Sequence, residues 1–304
     1  MTAAVNVAGL AAEIRTRVAL RLSLLLAVVL AACAPVPPGT SSAPKVLSVP
    51  PEVVARYQAV QDGAITIPAV RPGYLIGRNA RTEVYYSGPD APGSIVVDPY
   101  ARVLYYIMEG GRAMRYGIAV GREGYGFSGD AVVGAKKEWP SWTPTRNMVR
   151  REPAVYGPVA GGIPGGLENP LGARALYLYR NGRDTYYRIH GTNNASTIGR
   201  ATSAGCIRLF NQDILDLYSR VQPGAFVHVR DAAESAIAED PMIEGPDGLM
   251  VPIAELPKPV QDQIAQGVIP WPKFVPQIGI NAELDPTVPP EIAAAGAAAA
   301  AANP

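Results

Sequence analysis

One short run of this chain holds both a histidine and a cysteine: H-G-T-N-N-A-S-T-I-G-R-A-T-S-A-G-C-I-R, from His190 to Arg208 with the thiol at Cys206. A thiol attacks a carbonyl only as its thiolate, so it needs a base or a positive neighbour. His190 is the base available in the run. Arg208, and the start of a helix near Asn211, could both lower the thiol pKa. Gly205 lets the backbone approach a substrate closely, and the consecutive amides at Gly205 and Cys206 could hold an oxyanion. Ser203 could orient the imidazole or a substrate group. Taken singly, Cys206 also fits an inert core thiol and His190 a satisfied strand-end histidine. Together, bracketed by glycines, they favour a catalytic reading over an inert one. The chain has 304 residues but only two Cys and two His, at positions 33, 190, 206 and 228, without a CxxC or HxxxH cluster. That pattern argues against a structural zinc site. With 27 basic and 26 acidic residues the net charge is +1, so nothing suggests a general nucleic-acid or anionic-membrane surface.

Short strands must position these groups. Residues 94–98, 102–108 and 113–120 are rich in Val, Ile and Tyr and punctuated by Pro99 and Gly110-Gly111, so they read as antiparallel strands. Segments 175–180 and 185–190 flank Asn181-Gly182-Arg183-Asp184, a strong hairpin signal. A helix is expected from Asn211, as N-cap, to Val221, with Ile214, Leu217, Tyr218 and Val221 on one face and Pro223-Gly224 as the stop. Residues 225–230 return to strand, and alternation there makes His228 a structural residue. Residues 139–172 hold too many Gly and Pro for regular structure and read either as a lid or binding loop, with Trp139, Trp142 and Tyr156 as candidates to line a groove, or as an irregular loop that packs its own aromatics. Gly124 to Gly129 satisfies GxGxxG, but no helix follows it, so dinucleotide binding is rejected.

The ends have a different character. Arg15, Arg17 and Arg21 precede an apolar stretch from Leu22 to Ala32, the arrangement of a secretory signal. The stretch is short for a bilayer span, which needs about 20 apolar residues. Leu30-Ala31-Ala32-Cys33 resembles a bacterial lipobox, which implies acylation of Cys33 and a lipid anchor as the sole membrane attachment. Ordinary cleavage at Ala32-Cys33-Ala34 is the alternative. The expected organisation is a signal over residues 1–33, a linker and N-terminal extension over 34–92, a catalytic domain over 93–231, and a Pro/Ala-rich, largely disordered extension over 232–304.

The His190–Arg208 run resembles the signature of YkuD-type L,D-transpeptidases: His-Gly, a gap, then Ser/Thr-x-Gly-Cys-x-Arg or Asn. The likeness extends from about Gly93 to Arg230 and includes K-K-E-W-P-S-W-T-P-T and N-P-L-G-A-R-A-L-Y-L. Ala204 stands where many family members have His, as in the enterobacterial-type subgroup, so His190 alone can serve as the imidazole base. The resemblance implies a mainly β fold, a β-sandwich with a few short helices. It also implies an exported, periplasmic enzyme acting on peptidoglycan tetrapeptide stems without metal or organic cofactor. Cys206 would attack the carbonyl at the L-centre of meso-diaminopimelate and expel D-Ala, with His190 moving the proton. Gly191 and Ser203 match substrate- and His-orienting positions, and Arg208 suits the donor carboxylate. An amine acceptor on another stem would give a 3→3 cross-link, and one on an outer-membrane protein would attach that protein to the wall. Water would make the enzyme an L,D-carboxypeptidase. A non-catalytic, wall-binding lipoprotein is the alternative of another class.

Overall fold

The computed structural model describes residues 49–121, 127–203 and 206–268. The signal segment, the lipobox with Cys33, residues 122–126 of the rejected glycine motif, Ala204, Gly205 and the alanine-rich run lie outside the described residues.

Helix α1 (Pro51–Arg56) is followed by a hairpin, β1 (Val60–Asp62) with β2 (Ile65–Ile67). Next come β3 (Thr82–Tyr85), β4 (Ile95–Asp98), β5 (Val103–Met108), β6 (Arg112–Gly117), β7 (Val120–Gly121) and β8 (Gly129–Glu138). Helices α2 (Arg146–Arg151) and α3 (Pro153–Tyr156) interrupt the loop that leads to β9 (Arg174–Arg180) and β10 (Arg183–His190). The chain continues through β11 (Ala201–Ser203), β12 (Ile207–Arg208), α4 (Asn211–Arg220), β13 (Phe226–Val229) and α5 (Ala232–Ala238). It ends with the hairpin β14 (Met242–Glu244) and β15 (Met250–Pro252), then α6 (Lys258–Ala265).

Among the described residues, nine strands make one sheet in the order β12-β10-β9-β8-β13-β4-β5-β6-β3. β10 with β12 and β13 with β4 are parallel neighbours, and the rest are antiparallel. The period-2 pattern of the strands explains their depth. Ile95, Val97 and Leu104 enter the larger core, while Val96, Val103, Tyr105 and Ile107 enter a second core on the opposite face. Residues from near both ends of the sheet, Tyr116 of β6, next to the edge strand β3, and Ile207 of the edge strand β12, join the larger core with Ile214, Leu217 and Val221. The sheet therefore wraps that core, and the mainly β class with few short helices is the fold observed.

Several expectations need correction. Asn211 is the first residue of α4 rather than its cap; Phe210 holds the cap position without a side-chain hydrogen bond. The 113–120 segment divides into β6 and β7. β8 escapes the sequence pattern because Gly134 and Lys136-Lys137 interrupt its apolar alternation. Gly134 is required there, since a Cβ would lie 2.3 Å from the Tyr179 ring.

The flanks are folded well beyond a linker and a tail. Tyr57, Val70, Tyr74, Leu75 and Ala80 of the N-terminal extension pack with Ile198 and Phe210, which flank the cysteine segment. Burying one such apolar side chain stabilises by about 1.5–3 kcal/mol. Several together are large against a total of about 5–15 kcal/mol. The Tyr57 hydroxyl donates to Asp213 at 3.0 Å, and Arg81 pairs with the same carboxylate at 3.0 Å. Residues 232–268 are likewise ordered, in contrast to the expected disorder of 232–304. Glu239 accepts from Arg78 at 2.8 Å, from Tyr105 at 2.7 Å and from Arg230 at 3.1 Å.

Candidate active site

Two edge strands bring the chemistry of the His190–Arg208 run together. β10 and β12 are parallel, with Ile189 opposite Ile207 and His190 opposite Arg208. Directly paired residues share a face, and successive residues alternate. Ile189 and Ile207 fill the larger core, so His190 and Arg208 share the other face. Alternation adds Arg188 and Cys206 to that face, and Arg188 and Arg208 both act electrostatically on the thiol. β12 is held on both sides. Leu209 N donates to His190 O at 2.8 Å, and Ala119 and Arg208 exchange backbone hydrogen bonds at 2.9 Å.

His190 is buried, with Nδ1 2.6 Å from the Gly191 carbonyl. A carbonyl only accepts, so Nδ1 carries the proton and Nε2 is the basic nitrogen of the neutral ring. Burial, reinforced by the charge of Arg208, pushes its pKa down to about 3, against the support of the Gly191 and Leu171 carbonyls. Cys206 is half-buried. Burial pushes its thiol up, opposed by the Arg188 backbone amide and by the charges of Arg208 and Arg188. The expectation that Arg208 lowers the thiol is thus met in sign but outweighed by desolvation. At neutral pH the resting pair is thiol and imidazole, both uncharged.

The two arginines differ in what holds them. Arg188 forms a two-pronged pair with Asp184, both contacts 2.7 Å, and lies 4.1 Å over the Tyr177 ring. Arg208 makes no salt bridge among the described residues, and burial lowers its pKa. A desolvated guanidinium without a carboxylate is suited to an anionic ligand.

The loop 139–172 forms a wall beside this face. Trp142 pairs with Ile163 in an isolated bridge, and its ring lies 6.2 Å from that of Tyr156. Tyr156 interacts electrostatically with Arg208. Trp139 instead donates its indole N–H to Asp62 at 2.8 Å, so of the three candidate aromatics it serves as an anchor. Asn169, fully buried, donates to the carbonyls of Pro140, Ile163 and Pro164 and accepts from Leu171 N. It is the internal organiser of the wall.

Asn211 braces the histidine from behind. Its Oδ1 accepts from Ala173 N and its Nδ2 donates to Thr192 O, each at 2.9 Å. A Cβ on Gly191 would lie 2.2 Å from that Oδ1, and one on Gly172, whose φ is +61°, 2.3 Å. Gly191 therefore admits the bracing amide, while its carbonyl fixes the imidazole tautomer. Ser203 ends β11, whose partner is β7. Gly205 lies outside the described residues. His228 is apart from this face, 2.7 Å from Asp130 and 3.1 Å from Glu234.

Sequence reasoning missed Arg188, Asn169 and the bracing role of Asn211. The alternation R-I-H over 188–190 carries the first. The N-P-L-G segment marked a region and no role for Asn169. Nothing local distinguishes Asn211 from a helix cap.

Chemically, the face holds a thiol, a neutral imidazole and a guanidinium without a salt bridge among the described residues, group types that acyl transfer from an anionic donor could use. A family model described as the YkuD L,D-transpeptidase catalytic domain matches residues 92–229. The probable L,D-transpeptidase YcfS of Escherichia coli K12 is 34% identical over 185 residues, covering 58% of this chain and 53% of YcfS. A putative L,D-transpeptidase from the ATP synthase subunits region of Fuscovulum blasticum is 36% identical over 139 residues, 44% of this chain and 68% of that protein. A solved structure described as a probable carnitine operon oxidoreductase from Brucella melitensis is 48% identical. It covers 50% of this chain and 94% of that one, at a TM-score of 0.37, too low to bear on the fold. The chain spans about half the length of YcfS, 53%.

Proposed function

The chain belongs to the YkuD-type L,D-transpeptidase family, and on that premise we propose that Cys206 is the nucleophile of an enzyme acting on peptidoglycan tetrapeptide stems. What supports this reading is the parallel pairing of β10 with β12, which sets His190 opposite Arg208 two residues after Cys206, and the Gly191 carbonyl beside His190 Nδ1, which favours the tautomer with a basic Nε2. Sγ bonds to the carbonyl carbon at the L-centre of diaminopimelate as Nε2 of His190 takes the thiol proton. Collapse of the tetrahedral intermediate breaks the C–N bond, and the imidazolium returns that proton to the departing D-Ala amine. The amides of Gly205 and Cys206 hold the oxyanion. Ser203 helps to orient the imidazole. Arg208 pairs with a donor carboxylate, and the Gly191 carbonyl keeps His190 in the required tautomer. An amine acceptor then attacks the thioester, forming the new amide and returning a proton to sulfur. A stem acceptor yields a 3→3 cross-link, and a protein acceptor yields wall attachment of an outer-membrane protein.

The test incubates wild type and Cys206→Ala with disaccharide-tetrapeptide and analyses the muropeptides. D-Ala release with a 3→3 dimer, lost in the variant, is the expected result. Release without dimer assigns hydrolysis. No release by the wild type overturns the reading.

The Arg15–Ala32 segment supports export, and Leu30–Cys33 supports a lipid anchor at Cys33 facing the periplasm. No helix among the described residues is long and apolar enough to cross a membrane. A mature N-terminus at Pro35 by mass spectrometry contradicts the anchor.

A further inference from the structure

One carboxylate from outside the family-matched region fastens both ends of the wall beside the candidate site. Asp62 closes β1, ahead of residues 92–229. Its Oδ2 accepts from Trp139 Nε1 at 2.8 Å and from Arg174 at 2.7 Å, and its Oδ1 accepts from Arg174 at 2.9 Å. Trp139 begins the 139–172 loop and Arg174 begins the strand after it. Their junction is already tight. Trp139 N donates to Ala173 O at 2.8 Å, and a Cβ on Gly165 would lie 2.0 Å from Trp139 O. Trp139 adopts φ +39°, a left-handed conformation that a bulky residue keeps only when its surroundings enforce it.

The Asp62–Arg174 pair is mostly shielded, with side chains 20% and 9% exposed, so solvent does not screen it as it would a surface pair. Among the described residues, the other carboxylate near Arg174 is Glu138, at 3.6 Å and largely exposed. No further carboxylate among the described residues pairs with Arg174. The wall it fastens carries Trp142 and Tyr156, and Tyr156 acts on Arg208.

We propose that Asp62 is a positioning residue that sets the 139–172 wall against the substrate groove, so that the N-terminal hairpin controls how tightly the peptide donor is held. The proposal rests on the transpeptidase reading for the identity of the donor. An Asn at this position keeps one acceptor oxygen but turns an amide N–H2 toward donors, so one leg of the clasp is lost.

The test compares wild type, Asp62→Asn and Trp139→Phe, which removes only the indole N–H. Four quantities are read on the full chain: the rate of tryptic cleavage at the exposed Arg146, Arg150 and Arg151 of the wall, KM and kcat for the tetrapeptide, and the rate of alkylation of Cys206 by iodoacetamide, too small to fill the groove. In both variants cleavage and KM are expected to rise at least about tenfold, with kcat and alkylation within about twofold. Unchanged cleavage and KM overturn the proposal. So does a parallel change in all readouts, which marks general destabilisation. Should Asp62→Asn fail to fold, Trp139→Phe decides alone. A wild type without turnover would sink the transpeptidase reading and leave the cleavage comparison intact.

Discussion

At the residue scale, the site is set by what burial does to two titratable groups. Buried His190 is held neutral, its pKa pushed down to about 3 rather than 6.5. Acylation that needs the neutral imidazole then loses its base only far below the usual histidine range. Rates of Cys206 acylation are expected to stay flat from roughly pH 5 to 7 in protein that circular dichroism shows to be folded; an acid limb centred near 6.5 would show that the base is not this buried ring. The same shift opposes stability in acid, because the unfolded chain binds a proton below 6.5 that the folded chain refuses until about 3. Gly191 supplies a second prediction. In Gly191→Ala the new methyl meets Asn211 Oδ1 at 2.2 Å and Ile214 at 3.0 Å, both fixed by their own packing. We expect kcat/KM to fall by about 10²-fold and stability by about 1–3 kcal/mol; kinetics at wild-type level would contradict the bracing role. The motif gathers His190, Cys206 and Arg208 in one short run of sequence, and the fold sets His190 opposite Arg208. The role of Asn211 was not legible there, because its partners, Ala173 and Thr192, come from two other loops and no local pattern encodes such a meeting.

At the element scale, legibility followed local physics. Asn181 and Gly182, at φ +51° and +72°, make the two-residue turn that their types favour, and β9 and β10 follow. α4 emerged from its apolar stripe. β8 did not, since its glycine answers to the Tyr179 ring and its Lys136 to helix-end carbonyls rather than to alternation. Lys136 donates to Tyr218 O at 2.7 Å and to Val221 O at 2.6 Å. His228 joins three elements, contacting Asp130 of β8 and Glu234 of α5 from β13. Burial lowers its pKa, but the hydrogen bond and charge of Asp130 and Glu234 outweigh that and the net shift is upward. A raised folded value means that this stabilisation is complete below 6.5 and disappears as pH rises through the folded pKa. Urea midpoints of wild type and His228→Gln should therefore differ most in acid and converge at alkaline pH. Exposure of both carboxylates keeps the gap within about 1 kcal/mol. A gap that widens with rising pH would contradict the pairing.

At the scale of the whole molecule, the folded unit exceeds the stretch that the motif marks. The N-terminal extension fills a core with Ile198 and Phe210. The C-terminal hairpin reaches the cysteine segment through Arg102, which donates to Gly199 O at 3.0 Å and to Gly248 O. These contacts join residues far apart in sequence, and the proline-rich composition of the flanks concealed them. A chain cut to 93–231 is expected to lose its cooperative thermal transition, whereas 49–268 keeps it; equal melting curves would contradict this account. Formation of an acyl-enzyme at Cys206 is the step on which the proposed reaction depends. Its most direct measurement is intact-protein mass analysis after quenching wild type with tetrapeptide donor, followed by peptide mapping. A thioester adduct is expected on Cys206, formed with release of D-Ala and missing in His190→Gln on the same timescale. An adduct on another residue, or the same adduct in Cys206→Ala, would contradict that expectation.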